Sequence, residues 1–467
     1  MPNEIYNKSW WGTPVEDGWG DSYYAYFSGS DQASDGGGDA PATPSLTFLP
    51  AASVEAGKIN ANTPTDEFFT FTRASTATFL GSNDLLQTAA SGVPRIDYVG
   101  NSSGHILLEP SRTNVFRFSN TLSNNSWWSE RNTLAALTSS DKNITSPTGT
   151  DNDAWTLTTT SGTGVTRVGM RMRNSGANNH TIDASTSKTV SIFVKKSSYD
   201  FVHLETTQFQ SDMNGRSWFN ISNGTLGTKD ANHTSAKIED YKNGWYRCSV
   251  TITAPASPTD NQGQFNWFVS NADTETTVPK DGTSTSFWYG GQIEVGEYAT
   301  SYMETGSATV TRAADTANGA GDSTLFNDSE GVLYAEFSVF DATGDANFVG
   351  ICDGTDDNRI LIGKLSSNAD IKAVINRTGQ STKIITSSAD FSDNVKVKLA
   401  FRYKSGDNSL FLNGVNIAIN PYTYVPTGLS QVNFDNGGGN NDFYGKIKEI
   451  KVYKEALTDA ELATLTT

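Results

Sequence analysis

Bases for nucleophilic chemistry are scarce in this sequence. The four histidines are His105, His180, His203 and His233, and none adjoins a Gly-x-Ser-x-Gly elbow or another nucleophile context. His203 alternates with Val202 and Leu204, which predicts a side chain directed outward from a strand. Retaining glycoside hydrolysis needs two carboxyl groups about 5–5.5 Å apart. Residues 324–467 hold neither a Glu-x-Asp-x-Glu nor a Glu-x-Asp-x-x-Glu run that would set such a pair on one strand face. Glu294 and Glu297 flank a turn without same-face spacing, and Glu205 and Asp212 would meet only through folding. The expectation is a protein that is not an enzyme, with no catalytic residues. For metal chemistry the candidate is Cys352-Asp-Gly-Thr-Asp-Asp-Asn358, where Asp353, Asp356, Asp357 and Asn358 present the oxygen ligands that calcium prefers. That run lacks the spacing and terminal Glu of an EF-hand, and an ordinary Asp-Gly turn accounts for the same residues.

Sugar binding asks for exposed aromatic planes with amides and carboxylates nearby. Trp127 and Trp128, placed in a loop, and Tyr422 and Tyr424, in Asn420-Pro-Tyr-Thr-Tyr424, are the candidate carbohydrate-binding residues. Trp155, Trp245, Trp267 and Trp288 lie on strand patterns and are expected in the core.

Composition narrows the classes. The 467 residues carry a formal net charge of −17, which argues against nucleic-acid binding. No apolar run approaches the roughly 18–20 residues of a membrane span, so membrane insertion is not expected. The opening Met-Pro-Asn-Glu-Ile has neither a basic nor an apolar signal region, and no signal peptide is expected. Cys248 and Cys352 fall in different expected domains beside strands, which predicts buried free thiols.

These residues must be positioned by an all-β chain: two antiparallel, jelly-roll-like β-sandwiches in tandem behind an extended aromatic N-terminal anchor. In residues 1–27, Tyr6, Trp10, Trp11, Trp19, Tyr23, Tyr24, Tyr26 and Phe27 crowd a stretch too short to bury them against itself. Residues 28–45 read as a flexible linker and 46–116 as an irregular lead-in available for inter-subunit packing. Residues 117–314 form the first sandwich. Within it Tyr246, Cys248, Val250 and Ile252 share one strand face, and the closing strand from Phe287 breaks at Gly290-Gly291. After a linker at 315–323, residues 324–467 form the second. There Val395, Val397, Leu399, Phe401 and Tyr403 face in, Asn413-Gly414 marks a hairpin, and Thr458 with Glu461 caps a terminal helix.

Several phrases carry a family resemblance. Ser191-Ile-Phe-Val-Lys195, Asn243-Gly-Trp-Tyr-Arg247 and Trp288-Tyr-Gly-Gly-Gln-Ile-Glu-Val-Gly-Glu-Tyr-Ala-Thr-Ser-Tyr302 resemble the strands of a carbohydrate-binding-like sandwich of bacteriophage tail and fibre proteins. Phe71-Thr-Arg-Ala-Ser-Thr-Ala-Thr-Phe79, Pro94-Arg-Ile-Asp-Tyr98 and Leu107-Leu-Glu-Pro-Ser-Arg-Thr-Asn114 resemble its lead-in. Thr72-Arg-Ala74 recurs as Thr311-Arg-Ala313, which suggests that the two flanks pair or mirror each other. Phe443-Tyr-Gly-Lys-Ile-Lys-Glu-Ile-Lys-Val-Tyr453 with Ala456–Leu462 resembles the end of laminin-G/concanavalin A-like domains, with Lys448 where that family usually has an acid. The resemblance implies a virion component: a tail- or head-fibre or receptor-binding protein, homotrimeric, anchored to other virion proteins through its N-terminus. It would bind a host surface glycan or receptor through many weak contacts. A capsid-decoration or baseplate component and a polysaccharide depolymerase stand as alternatives.

Overall fold

In this computed structural model the described residues are 42–49, 54–55, 58–60, 68–132, 135–342, 347–364 and 369–467. The aromatic residues of 1–27 and most of the 28–45 linker lie outside them. Period-two alternation sets the architecture. Trp155 and Leu157, Val190, Ile192 and Val194, and Cys248, Val250 and Ile252 all enter one core with Trp267 and Trp288. Their strands build a six-stranded sheet in the order Lys142–Ile144, Ala154–Thr158, Thr285–Val295, Ser187–Lys195, Trp245–Thr253, Ser235–Asp240. A seven-stranded sheet faces it, with Gln262–Ser270 and Phe201–Thr207 at its centre. Both cysteines are buried and free. The all-β, jelly-roll-like architecture is therefore as expected.

The closing strand does not break at Gly290-Gly291. It runs unbroken over Thr285–Val295 with a bulge: Tyr289 pairs Phe193 and Gly291 pairs Ile192, so Gly290 is the extra residue. Its φ of +54° is one that a glycine adopts without strain.

The second sandwich takes in the lead-in. Leu46–Phe48 and His105–Leu108 both pair with Gly445–Tyr453, while Phe68–Thr72 pairs with Thr316–Ala320 in the opposite sheet. Leu46, Phe48, Phe69, Phe71, Ile106 and Leu108 thereby join the core of Leu333, Phe337, Leu399, Phe401 and Ile450. The described residues of 46–116 are thus not set apart as an irregular segment. Their short apolar runs supply strands that the 324–467 segment needs to complete its two sheets. The 315–323 stretch likewise enters a sheet through Thr316–Ala320.

The strand placed at Val395 starts at Val397, and Val395 itself is 51 % exposed. The hairpin at Asn413-Gly414 forms with both residues at positive φ, +46° and +84°. Helix Asp459–Thr466 carries the expected capping box of Thr458 and Glu461.

Candidate functional site

The phrases that resemble the phage sandwich converge on one buried polar seam. Gln292 and Glu294, two apart on the closing strand, point to one side and hold the chain after Gly296 folded back over it. The Glu294 carboxylate accepts from Thr300 N (3.0 Å) and Thr300 Oγ1 (2.6 Å), and Gln292 Oε1 accepts from Met303 N (2.8 Å). Arg247, of Trp245-Tyr-Arg247, donates to Thr300 O (2.6 Å) and to Ser191 Oγ (3.0 Å). Tyr302 is fully buried with its hydroxyl 2.8 Å from Ser119 Oγ. Its carboxylate, amide and backbone groups are bonded within the chain, while Arg247 Nε is buried with no hydrogen-bond partner among the described residues.

Beneath it lies a cluster of charges. Arg95 reaches Glu109 (2.7 Å) and Asp315 (2.5 Å), Arg73 reaches Asp315 (3.1 Å), and Arg312 reaches Glu109 (3.2 Å) and Asp315 (3.7 Å). The two Thr-Arg-Ala repeats do not pair with each other; their arginines, Arg73 and Arg312, both reach Asp315. Burial disfavours the Glu109 charge, but Arg312 and Arg95 outweigh it and hold the carboxyl at about 2. Burial lowers the Arg73 pKa. Glu109 also accepts from Ser301 N (2.7 Å), so lead-in, clasp and second sandwich share one network.

A cleft opens beside this seam, with a cavity of about 360 Å³. One wall is the strand Ser235–Asp240, with Lys237, Glu239 and Asp240. The opposite wall is Ser338, Lys396, Lys446 and Lys448, and the turn from Val99 to His105 closes the base. A second cavity of about 160 Å³ continues over the clasp, lined by Arg247, Thr300, Glu297, Tyr298 and Asp393 among others. Lys448, the departure noted at the family's acidic position, donates to Ser103 O (3.2 Å), Ser103 Oγ and Gly104 O (3.2 Å). An acid there would face carbonyl oxygens, so docking of the lead-in turn accounts for the charge reversal. His105 Nε2 lies 3.1 Å from Asp97. Burial opposes the Asp97 charge, yet His105 and Lys446 hold its pKa below the usual carboxylate range.

The residues chosen from sequence fare differently. Trp127 and Trp128 are core residues, 7 % and 0 % exposed, and do not offer planes to a sugar. Both rings pack edge-on to Phe116, and Trp128 Nε1 donates to Phe118 O. Gly291 makes room for Trp128: a Cβ there would lie 2.7 Å from the indole. The turn-rich neighbourhood concealed that a strand, Trp128–Asn132, begins at this tryptophan. Trp155, Trp245, Trp267 and Trp288 are core, as expected. Tyr422 and Tyr424 are half-buried; their hydroxyls donate to Ile384 O (3.1 Å) and Ser381 O, and Lys383 sits 5.6 Å from the Tyr422 ring. His203 points away from the sandwich core as expected but is not solvated. It is sealed between Trp218 and Phe268, with Nδ1 2.9 Å from Ser270 Oγ.

The oxygen-rich loop turns in on itself. Asp353 accepts from Thr355 N (2.9 Å), Thr355 Oγ1 (2.6 Å) and Asn358 Nδ2 (2.8 Å), the pattern of an Asx turn. Asp356 and Asp357 are exposed. Among the described residues no three His, Cys, Asp or Glu side chains converge as a metal set. Glu205 is claimed by Arg167 (2.6 Å) and Arg216 (2.6 Å), and Asp212 accepts from Gln210, so those two acids do not form a pair. The lysine-lined cleft was not foreseen. Its one sequence signal was the Lys446, Lys448 alternation on the last strand.

Residues 313–463, most of the C-terminal sandwich, match the family model of the concanavalin A-like lectin/glucanases superfamily. Among solved structures, the CBM40 of the Ruminococcus gnavus IT-sialidase bound to α2,3-sialyllactose is similar at 18 % identity and TM-score 0.28, over 32 % of this chain and 94 % of that one. Domain 4 of AbnA, a GH43 extracellular arabinanase from Geobacillus stearothermophilus in complex with arabinotriose, is similar at 16 % identity and TM-score 0.27, over 37 % and 84 %. Domains LG4-5 of the mouse laminin α1 chain are similar at 12 % identity and TM-score 0.23, over 65 % and 92 %. At such values none of the named ligands carries over to this chain. No curated protein matches the sequence.

Proposed function

We propose that this protein is a non-catalytic glycan-binding component of a bacteriophage virion, of the fibre or receptor-binding kind, and that the cleft between its sandwiches is the binding site. The observation that carries the binding reading is the match of residues 313–463 to a lectin/glucanase superfamily, on a chain whose candidate acids Glu205 and Glu294 are locked in internal contacts. The virion assignment rests on the resemblance of the clasp and lead-in phrases. On this reading the N-terminal segment docks on other virion proteins, three copies associate, and weak contacts add through linkage. The test is a glycan array and a host-adsorption block with the full chain. Array binding together with blocked adsorption supports the reading; no bound glycan and undiminished adsorption refute it.

A second reading, a structural virion component, is favoured by an apolar strip along two neighbouring sheet edges. Ile384, Val415 and Ile419 are 38 %, 60 % and 68 % exposed there. Such a strip suits protein contact better than sugar hydroxyls. A concentration-dependent oligomer abolished by Ile419→Asp, with no glycan bound, would favour this reading.

A further inference from the structure

Within a chain of formal charge −17, five lysines from three separate segments line one cleft: Lys237 and Lys242, Lys396, and Lys446 and Lys448. Only Glu239 and Asp240 oppose them on its lining. Four of the lysines have a carboxylate in contact: Lys237 with Glu239 (2.6 Å), Lys242 with Asp240 (3.3 Å), Lys396 with Glu336 (2.8 Å) and Lys446 with Asp97 (3.7 Å). Among the described residues, Lys448 contacts only neutral oxygens of the Ser103–Gly104 turn. Burial lowers its pKa and neighbouring Lys396 adds to that, while Glu336 and Glu449 act the other way.

We infer that the cleft selects an anionic saccharide unit, one bearing a carboxylate or a sulfate ester, with Lys448 and Lys396 facing the anionic group. This rests on the glycan-binding reading and narrows it. A lysine head accepts a point charge in any of several directions, and an anion would give Lys448 a directly contacting negative group in exchange for one of its three neutral oxygen partners. The remaining lining suits a sugar ring. Asn101 and Asn394 offer amides and Ser338 a hydroxyl, while Val99 and Ile238 give apolar surface for C–H faces. A volume of about 360 Å³ falls at the small end of ligand sites, room for one or two rings rather than a long chain. The acidic remainder of the surface would repel a polyanion, so any affinity for one has to arise at a local cationic spot.

The experiment is titration of the full chain with three soluble probes: polygalacturonate for carboxylates, dextran sulfate for sulfate esters, and neutral dextran. Each is run at low salt and again near 0.5 M salt, where the screening length is a few ångströms. Binding of one or both acidic probes over dextran, weakened by salt, is expected. Lys396→Glu, at an exposed side chain, is expected to weaken it by about tenfold or more, while Lys280→Gln on the distant Val278–Asp281 hairpin leaves it unchanged. Lys448→Gln should act in the same direction, with circular dichroism checking that the lead-in turn still docks. Equal binding of dextran, or acidic-probe binding indifferent to Lys396→Glu and Lys448→Gln, overturns the inference and leaves the glycan reading standing. Failure of these probes and of every glycan on the array overturns both.

Discussion

At the scale of residues, the phrases that make the sequence familiar are structural. Gln292, Glu294, Arg247, Arg95 and Glu109 have the chemical types of a binding site, and all are buried in bonds to one another or to backbone. Asp315 is the node, contacting Arg73, Arg95 and Arg312 and accepting from Glu109 N at 2.8 Å. Asp315→Asn is expected to lower the unfolding free energy by about 3–5 kcal/mol, because it leaves buried guanidinium charge uncompensated. Urea denaturation of the two chains measures this, and a change within about 0.5 kcal/mol would show the node to be dispensable. The repeated Thr-Arg-Ala phrase hinted at such a meeting. Its partners stayed hidden because Asp315, beside the second repeat, lies 220 residues from Arg95 and 206 from Glu109, and only the fold brings them together. Trp127 and Trp128 misled for the opposite reason: turn-forming neighbours imply exposure, while burial depends on what packs from elsewhere, here Phe116 and the space left by Gly291.

At the scale of elements, period two made most of the strands legible, including the inward faces of Trp245–Thr253 and Val397–Lys404. What it could not convey is covering from outside. Arg247, Ser249 and Thr251 alternate as a solvated face should, yet the folded-back chain at 297–302 buries them, with Thr251 Oγ1 donating to Glu297 O at 3.0 Å. Pairing of the lead-in was equally illegible, since strands of three or four residues such as Leu46–Phe48 and His105–Leu108 have no period to read. Close strand approach is visible only in space. At Gly169 an added Cβ would lie 1.9 Å from Trp267 O of the neighbouring strand, whereas at Gly306 it meets nothing within 4 Å. Gly169→Ala is expected to cost about 1–3 kcal/mol or more through displaced backbone, and Gly306→Ala to stay within about 0.5 kcal/mol. Parallel thermal melts decide it; equal melting temperatures would mean the sheet yields freely at Gly169.

At the scale of the whole molecule, two sets of groups make stability depend on pH in opposite senses. His180, His203 and His233 all sit in the first sandwich, where burial lowers their pKa values to about 4, 3 and 4. They fold neutral, so the unfolded chain binds more protons below about 6.5. Stability is fully present above that pH and is lost as pH falls towards 4, each tenfold change in proton affinity being worth about 1.4 kcal/mol. All described tryptophans lie in this sandwich, so tryptophan fluorescence should show its denaturant midpoint falling between pH 7 and 4.5. Glu297 works the other way, across the seam between the sandwiches. Proton sharing with Asp341, then burial, then the charges of Asp341 and Asp393 raise its pKa to about 7, against an opposing pull from Arg112. A raised carboxyl pKa means that the folded chain holds the extra proton. This contribution is fully present below about 4.5 and is lost as pH rises through about 7, when first-sandwich and second-sandwich carboxylates both ionise and repel. Glu297→Gln keeps a hydrogen-bonding group without the charge. Its melting temperature should match the parent at pH 5 and exceed it at pH 8, with the gap opening near 7. A parent and variant whose melting curves run parallel from pH 5 to 8 would show that the two sandwiches meet without electrostatic strain at this point.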